Sequence, residues 1–393
     1  MKRYVDAQLE TWASIGVGGH FSCMDDSPLA PWQDMADQCA KQFTDVVGAS
    51  PNEIVVMNTL SANLHLMMAA FYRPTERRHK IILEWRPFPS DHYVIESQIQ
   101  WHGLDPKSSM VQIQPDENCF IPTKQILATI DEQAEETAMI LLPGVQYYSG
   151  QLLDMENITK YAQSKGIIVG WDLAHAAGNV ELRLHDWNVD WACWCTYKYI
   201  NAGPGAIAGV FVHERHGTVE YSAGPNVPRF KPRLTGWYGH EKASRFNMDN
   251  MFKPTPGAAG YQLSNPSAID MACLSASLSI FEKTNMHELR SKSLVLTAYA
   301  QHLLDVILMD AQRASREPPF RVITPRDPLQ RGTQISVLLR EELMDRASAV
   351  LVENGVVCDK RKPGVIRVAP VALYTRFEDV FTFMQIFREA LGM

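Results

Sequence analysis

Short apolar runs alternate with amphipathic stretches through the middle of the chain. Ile81-Ile82-Leu83, Ala138 to Leu142, Ile167 to Trp171 and Gly209 to Val212 each predict a short buried strand. Met155 to Lys165 lies between the second and third runs and carries a helical pattern, which Gly166 ends. Strand, helix and strand at this spacing make a βαβ unit, which predicts a largely parallel sheet with helices on both faces. From Tyr221 to Pro256 the periodicity fades into Gly, Pro, Arg, Lys and aromatic residues. That segment predicts long ordered loop structure, a frequent place for function in compact domains. After Asn265-Pro266 two long helical stretches follow, at 267–282 and 286–310. Strands near 334–339 and 365–369 and helices near 341–353 and 377–391 complete the pattern. The sum predicts a large α/β domain, residues 1–283, and a smaller C-terminal α+β domain, residues 284–393, joined by a long helix. The N-terminal part is left open between the two.

Composition narrows the class without naming a chemistry. The chain has 393 residues, 46% hydrophobic and 21% charged, enough to bury a large core without staples. A net charge of -7 with no long Lys/Arg run argues against a nucleic-acid surface. No uninterrupted apolar run approaches the ~18 residues of a membrane span. The start, M-K-R-Y-V-D-A-Q-L-E-T-W, has no apolar core of a signal peptide. Seven scattered cysteines read as reduced thiols, so a cytoplasmic protein is expected.

The densest chemical signal is W-D-L-A-H-A-A-G-N-V (171–180), followed by C-W-C-T-Y-K-Y-I-N-A-G-P-G (193–205). Asp172 closes a buried strand, at the sheet edge where open parallel sheets bind ligands. A carboxylate there is costly without a cationic partner, and a protonated pyridine nitrogen would be one. His175, three residues on, can face the same ligand. Lys198 ends another apolar run, among aromatics and before a Gly-rich turn. Desolvation at such a place lowers a lysine's pKa and makes the amine a nucleophile. Alone, a Tyr-Lys pair at a strand end is a snorkelling surface lysine, and a lone Asp is a cap or turn residue. Together on neighbouring strands they supply two parts of a pyridoxal-phosphate (PLP) site: a Schiff-base lysine and an acid for the pyridinium.

The run from Trp171 through Gly203 resembles kynureninase, and the likeness extends over nearly the whole chain. It is carried also by M-N-T-L-S-A-N-L-H (57–65), R-P-F-P-S-D-H-Y-V-I-E-S-Q (86–98), G-W-Y-G-H (236–240), F-N-M-D-N (246–250), S-N-P (264–266) and I-R-V-A-P (366–370). The resemblance implies a PLP-dependent transferase-like fold (fold type I). It also implies hydrolytic Cβ–Cγ cleavage of L-kynurenine or 3-hydroxy-L-kynurenine, giving an anthranilate and L-alanine. On the family pattern Lys198 carries PLP covalently and moves protons. Asp172 pairs with the pyridinium. Phe88 stacks on the ring, Asp91 contacts it, and His175 lines the pocket. Leu60 and Ser61 match a phosphate-binding turn, which suits a helix start. Tyr197 binds phosphate and assists protonation. Trp237 and Asn265 match positions supplied by a partner subunit, which implies a homodimer. Arg367 matches the arginine that clamps the substrate α-carboxylate, a task for its bidentate fork. His20 matches a histidine near the substrate ring. His20 and Asn265 are candidates for setting the choice between the two substrates.

The chain departs from the family pattern at its start, where relatives carry a preceding segment with a Y-L-x-G-N-S-L-G-like motif. That departure supports a second reading, a weakly active or inactive PLP-binding paralogue. A third, resting on the shared Asp-x-x-His and Lys pattern, is another fold-type-I enzyme such as a class V aminotransferase or cysteine desulfurase. The latter do not share the S-D-H-Y and G-W-Y-G-H segments. No metal site is expected. Cys193-x-Cys195 lacks a second ligand pair, and His213-Glu-Arg-His216 is one residue short of the zinc-protease spacing. Trp187, Trp191 and Trp194 are expected in the core.

Overall fold

The computed structural model describes residues 1–221 and 227–393. The chain forms two compact units. The larger comprises Met1–Gln114, Ile121–Gly144 and Asp154–Asn285. The smaller comprises Pro115–Phe120, Val145–Leu153 and Met286–Met393. The division along the chain thus falls at Asn285, with the N-terminal residues in the larger unit and two short segments returned to the smaller one.

The larger unit is built on seven strands: β1 (Ile54–Val56), β2 (Lys80–Glu84), β3 (Met110–Ile113), β4 (Thr137–Pro143), β5 (Ile168–Asp172), β6 (Trp191–Trp194) and β7 (Gly209–Val212). Their order is β1-β7-β6-β5-β4-β2-β3. Neighbours from β3 to β6 are parallel. β7 runs antiparallel to both β6 and β1, so β7 alone is reversed. The four runs read from sequence are β2, β4, β5 and β7. The reversal of β7 was not visible there.

Around the sheet lie α1 (Lys2–Ile15), α2 (Met35–Gln42), α3 (Thr44–Val47), α4 (Leu60–Phe71), α5 (Pro89–Trp101), α6 (Pro106–Ser109), α7 (Thr123–Gln133), α8 (Met155–Ser164) and α9 (Ala268–Phe281). Alternation along each strand sends successive side chains to opposite faces. Val55, Ile81, Leu83, Met139, Leu141, Trp191 and Cys193 pack with Leu64, Met67 and Phe71 of α4 and with Val94, Ile95 and Ile99 of α5. On the other face Trp194 meets Phe43, rings 5.4 Å apart, and the Trp171 indole donates to Thr159 of α8 at 3.0 Å. Local signals set the helix ends. The Asp154 side chain caps α8 by accepting from the Asn157 N–H, and Gly166 leaves it at φ 71°.

Two tryptophans are accommodated by glycine. Gly170 on β5 lies directly opposite Trp191, and Gly209 on β7 opposite Trp194. A Cβ at either glycine would overlap the facing indole. Both tryptophans are wholly buried, whereas Trp187 is only half-buried. The latter corrects its assignment to the core.

Glu53 fastens the edge of this sheet opposite the strand ends that carry Asp172. Its buried carboxylate accepts from the Ser50 and Glu214 N–H groups, each at 3.0 Å, and from His185 Nδ1 at 2.9 Å. The hydrogen bond to Glu53 raises the His185 pKa, against the pull of burial.

The smaller unit packs α10 (Met286–Arg313), α11 (Met344–Glu353) and α12 (Phe377–Ala390) on a sheet of β10 (Phe320–Val322), β11 (Ile335–Leu339), β12 (Asp359–Arg361) and β13 (Val365–Val368). Its strands pair antiparallel in the order β10-β11-β13-β12. By length and composition α10 could cross a membrane. Here its stripe Leu296, Ala300, Leu304 and Ile307 is buried against β11 and α12 in the unit's own core. The described residues of the 221–256 segment hold little regular structure. The strands β8 (Val219–Glu220) and β9 (Arg229–Phe230) pair, and single 3-10 turns stand at Trp237–Gly239 and Arg245–Asn247. Residues 222–226 of that expected loop lie outside the described residues.

Gly170→Ala forces its methyl into the Trp191 indole. The expected loss is about 1–3 kcal/mol, the usual cost of overpacking a filled core. Urea unfolding measures it, and an unchanged midpoint would mean that the indole has room to move.

Candidate active site

The strand directions bring the sequence motifs to one edge. β1, β2, β5 and β6 all point the same way. Leu60 and Ser61 follow β1, Phe88 and Asp91 follow β2, Asp172 and His175 end and follow β5, and Tyr197 and Lys198 follow β6. That is the C-terminal edge, where open α/β sheets bind their ligands.

Lys198 is half-buried in the turn after β6. Its Nζ lies 3.1 Å from His175 Nε2. The ammonium also stands 5.7 Å from the Phe88 ring centre and 5.8 Å from that of Tyr197. Asp172 is buried at the end of β5, and its Oδ1 accepts from the Ala174 N–H at 2.7 Å. Asp91, in the first turn of α5, is also buried and shares a hydrogen bond with Asp172. Burial first, then the Asp172 charge and hydrogen bond, then Glu84, hold the Asp91 carboxyl well above the usual carboxylate range; Lys198 acts in the opposite direction. Behind the pair, burial and the same two acids push the Cys193 thiol up, so it stays neutral. Burial and the neighbouring Cys195 thiol push the Tyr197 phenol up to about 12, which leaves it a hydrogen-bond donor at neutral pH.

A second part of the site is an anion cradle. No side chain caps α4, whose first residues are Leu60 and Ser61. Its leading N–H groups thus present the positive end of a helix. Ser61 Oγ meets Ser90 Oγ at 2.5 Å, which ties this helix start to that of α5. Three non-glycine residues with positive φ mark the connections here: Asn58 at 46°, Arg86 at 56° and Asn201 at 58°. Backbone strain of this kind gathers at ligand sites.

These residues suit PLP. The buried acid pair offers an anion to a pyridinium, Lys198 offers an amine, and the uncapped α4 start suits a phosphate. Ser90, Glu84 and Cys195 were missed in the sequence. Glu84 could have been found, since it closes an apolar strand as Asp172 does.

The remaining expected residues stand on other segments of the chain. His20 sits in a 3-10 turn, its ring 5.0 Å from that of Trp32. Trp237 and Asn265 are both exposed, on segments joined where the Tyr238 N–H donates to the Leu263 carbonyl. Arg367 is on β13 of the smaller unit. Among the described residues one cluster has metal-ligand character, Glu53 with His185 and His213. Its carboxylate is already held by two backbone N–H groups and His185, and it stands at the opposite sheet edge.

Comparison with known proteins agrees with this geometry. Residues 30–220 match the class V aminotransferase family, and residues 289–387 match the kynureninase C-terminal domain family. The chain is 66% identical over 392 residues to kynureninase 1 of Neurospora crassa, covering 100% of this chain and 80% of that protein. It is 61% identical over 392 residues to the kynureninase of Pyricularia oryzae, covering 99% of this chain and 78% of that protein. Among solved structures it resembles a cysteine desulfurase from Thermococcus onnurineus NA1, with a TM-score of 0.75 at 17% identity, over 100% of this chain and 92% of that one. It also resembles C-DES, a cystine C-S lyase solved with a PLP cofactor, with a TM-score of 0.75 at 14% identity, over 98% of this chain and 93% of that one. These likenesses show the fold.

The Asp91 proton can be tested through stability. In the unfolded chain an Asp loses its proton near about 3.9. A raised folded value means that the stabilising contribution is complete below that point and fades as pH climbs toward the folded value. Asp91→Asn keeps a donor and cannot ionise. In cofactor-free protein its stability relative to the native chain should therefore rise between about pH 5 and about pH 8. A constant difference in urea unfolding across that range would show that Asp91 is ionised throughout.

Proposed function

The chain belongs to the kynureninase family, and we propose that it cleaves L-kynurenine or 3-hydroxy-L-kynurenine between Cβ and Cγ with water, using PLP held at the Lys198 edge. The products are anthranilate or 3-hydroxyanthranilate and L-alanine, which places the reaction in tryptophan degradation and NAD biosynthesis. The observation that carries the site assignment is the meeting of Lys198 with His175 at 3.1 Å, on the same sheet edge as the Asp91–Asp172 pair.

PLP, when bound, supplies an electron sink conjugated to the substrate α-carbon. The protein's own groups do the rest. Lys198 Nζ would hold the cofactor covalently and, when freed by the substrate amine, would take the α-proton. Asp172, with the raised Asp91 carboxyl beside it, would pair with the pyridinium nitrogen. Phe88 would lie against the ring. The α4 start at Leu60 and Ser61 would hold the phosphate. The neutral Tyr197 phenol donates to that phosphate and assists proton return to the substrate carbon.

Arg367 offers its fork to the substrate α-carboxylate. His20 and Asn265 face the substrate ring and bear on the choice of kynurenine or its 3-hydroxy form. Trp237 and Asn265, exposed on one chain, act in the partner's site of a homodimer. Cys23, Cys39, Cys119, Cys193, Cys195, Cys273 and Cys358 are all free, which suits a reducing compartment such as the cytoplasm.

Purified protein reconstituted with PLP should show the visible absorption of lysine-bound cofactor and should lose it in Lys198→Ala. Added kynurenine should yield fluorescent anthranilate, with activity reduced at least about a thousandfold in the variant. Cofactor absorption without anthranilate would point to the inactive paralogue or to another PLP chemistry. No absorption in reconstituted native protein would overturn the site itself.

A further inference from the structure

Arg367 is held by two groups before any substrate arrives. It stands on β13 directly opposite Asp359 on β12. Its Nη2 pairs with Asp359 Oδ2. Its Nη1 donates to the Tyr147 carbonyl at 2.8 Å. That carbonyl is itself fixed, since Gln334 Nε2 donates to it at 2.9 Å. The second Asp359 oxygen, Oδ1, takes Arg361 Nη1 at 2.8 Å, which keeps the carboxylate from turning away. The Arg367 side chain is 11% exposed and that of Asp359 39%. The arginine is thus the enclosed member of the pair and the aspartate the outer one.

One anchor would leave the guanidinium free to swing about that bond. Two anchors on different terminal nitrogens fix the plane of the fork. Bidentate recognition of a carboxylate depends on that plane. Rotamer freedom removed in advance is freedom that binding need not remove. The cross-strand register makes the arrangement rigid, because Asp359 and Arg367 are opposed by the backbone pairing itself.

We propose that Asp359 is a positioning residue for substrate binding, orienting the Arg367 guanidinium for the substrate α-carboxylate. This rests on the reading of Arg367 as the carboxylate clamp. It assigns Asp359 no part in bond making or breaking, so its effect falls on affinity and not on turnover.

The test uses PLP-loaded enzyme carrying Asp359→Ala, Asp359→Asn or Arg367→Lys. Asparagine keeps an oxygen acceptor for Nη2; alanine does not. Asp359→Ala should raise the KM for kynurenine about tenfold while kcat stays within about twofold, a loss of uniform binding. Asp359→Asn should stay within about threefold of the native KM, since the hydrogen bond and hence the plane survive. Binding of decarboxylated kynurenine, followed through cofactor absorption, should be unchanged in both Asp359 variants, because it has no carboxylate to clamp. An unchanged KM in Asp359→Ala would overturn the proposal, as would an equal loss for the decarboxylated amine. A matching fall in kcat in both Asp359 variants would show a structural role instead. Arg367→Lys separates the layers. If it raises the KM and Asp359→Ala does not, the positioning role fails alone. If it leaves the KM unchanged, the clamp reading fails with it.

Discussion

Two carboxyl groups buried side by side cannot both be charged unless a cation joins them. Asp91 and Asp172 meet this constraint at the sheet edge, where burial first and then the neighbouring Asp172 push the Asp91 carboxyl well above the usual carboxylate range. Much of the surrounding architecture serves to keep that pair buried. Asp172 is pinned by the Ala174 N–H, Asp91 by its place in the first turn of α5, and the neutral Cys193 closes the space behind them. A cationic ring nitrogen would complete the electrostatics, and Lys198 stands on the adjoining turn after β6.

The sheet makes this arrangement possible. β5 and β6 are parallel neighbours, with Asp172 directly opposite Cys193, so the acid and the turn bearing Lys198 leave the sheet at one edge. Glycine on the adjoining strands, Gly170 and Gly209, leaves room for the buried indoles of Trp191 and Trp194. The large aromatic core and the polar edge are therefore one piece of engineering: the indoles fill the sheet's interior, and the strand ends they support carry the chemistry. The smaller unit shows the same economy on a lesser scale, where the pairing of β12 with β13 sets Asp359 against Arg367. In both places backbone register, and not side-chain flexibility, decides which charges meet.

Sequence pattern carried far for features that are local. The apolar runs of β2, β4, β5 and β7, the capped helix α8 with its terminal glycine, and the long helices α9 and α10 were all legible, because strand burial and helix capping act over a few residues. The pairing of an acid with a lysine on neighbouring strands was legible too, since the βαβ pattern predicts parallel neighbours and the apolar runs show where they end. The shorter strands β1, β3, β10 and β12 gave weaker signals. Three or four residues are too few for a period to declare itself, and β12, with Asp359, Lys360 and Arg361, contains no apolar residue at all.

Other features existed only in three dimensions. The reversal of β7, the meeting of Asp91 with Asp172, the Ser61–Ser90 contact that joins two helix starts, and the binding of Glu53 to His185 all bring together residues far apart in the chain. No local window holds both members of such a pair. By itself, then, the sequence determined which apolar runs could be buried, where several of the strands and helices would lie, and that Asp172 closed a strand with Lys198 following the next apolar run. Tertiary structure alone decided which charges face one another and that the Asp91 carboxyl is pushed well above its ordinary range, because burial and electrostatic energy depend on distance in space and not on separation along the chain.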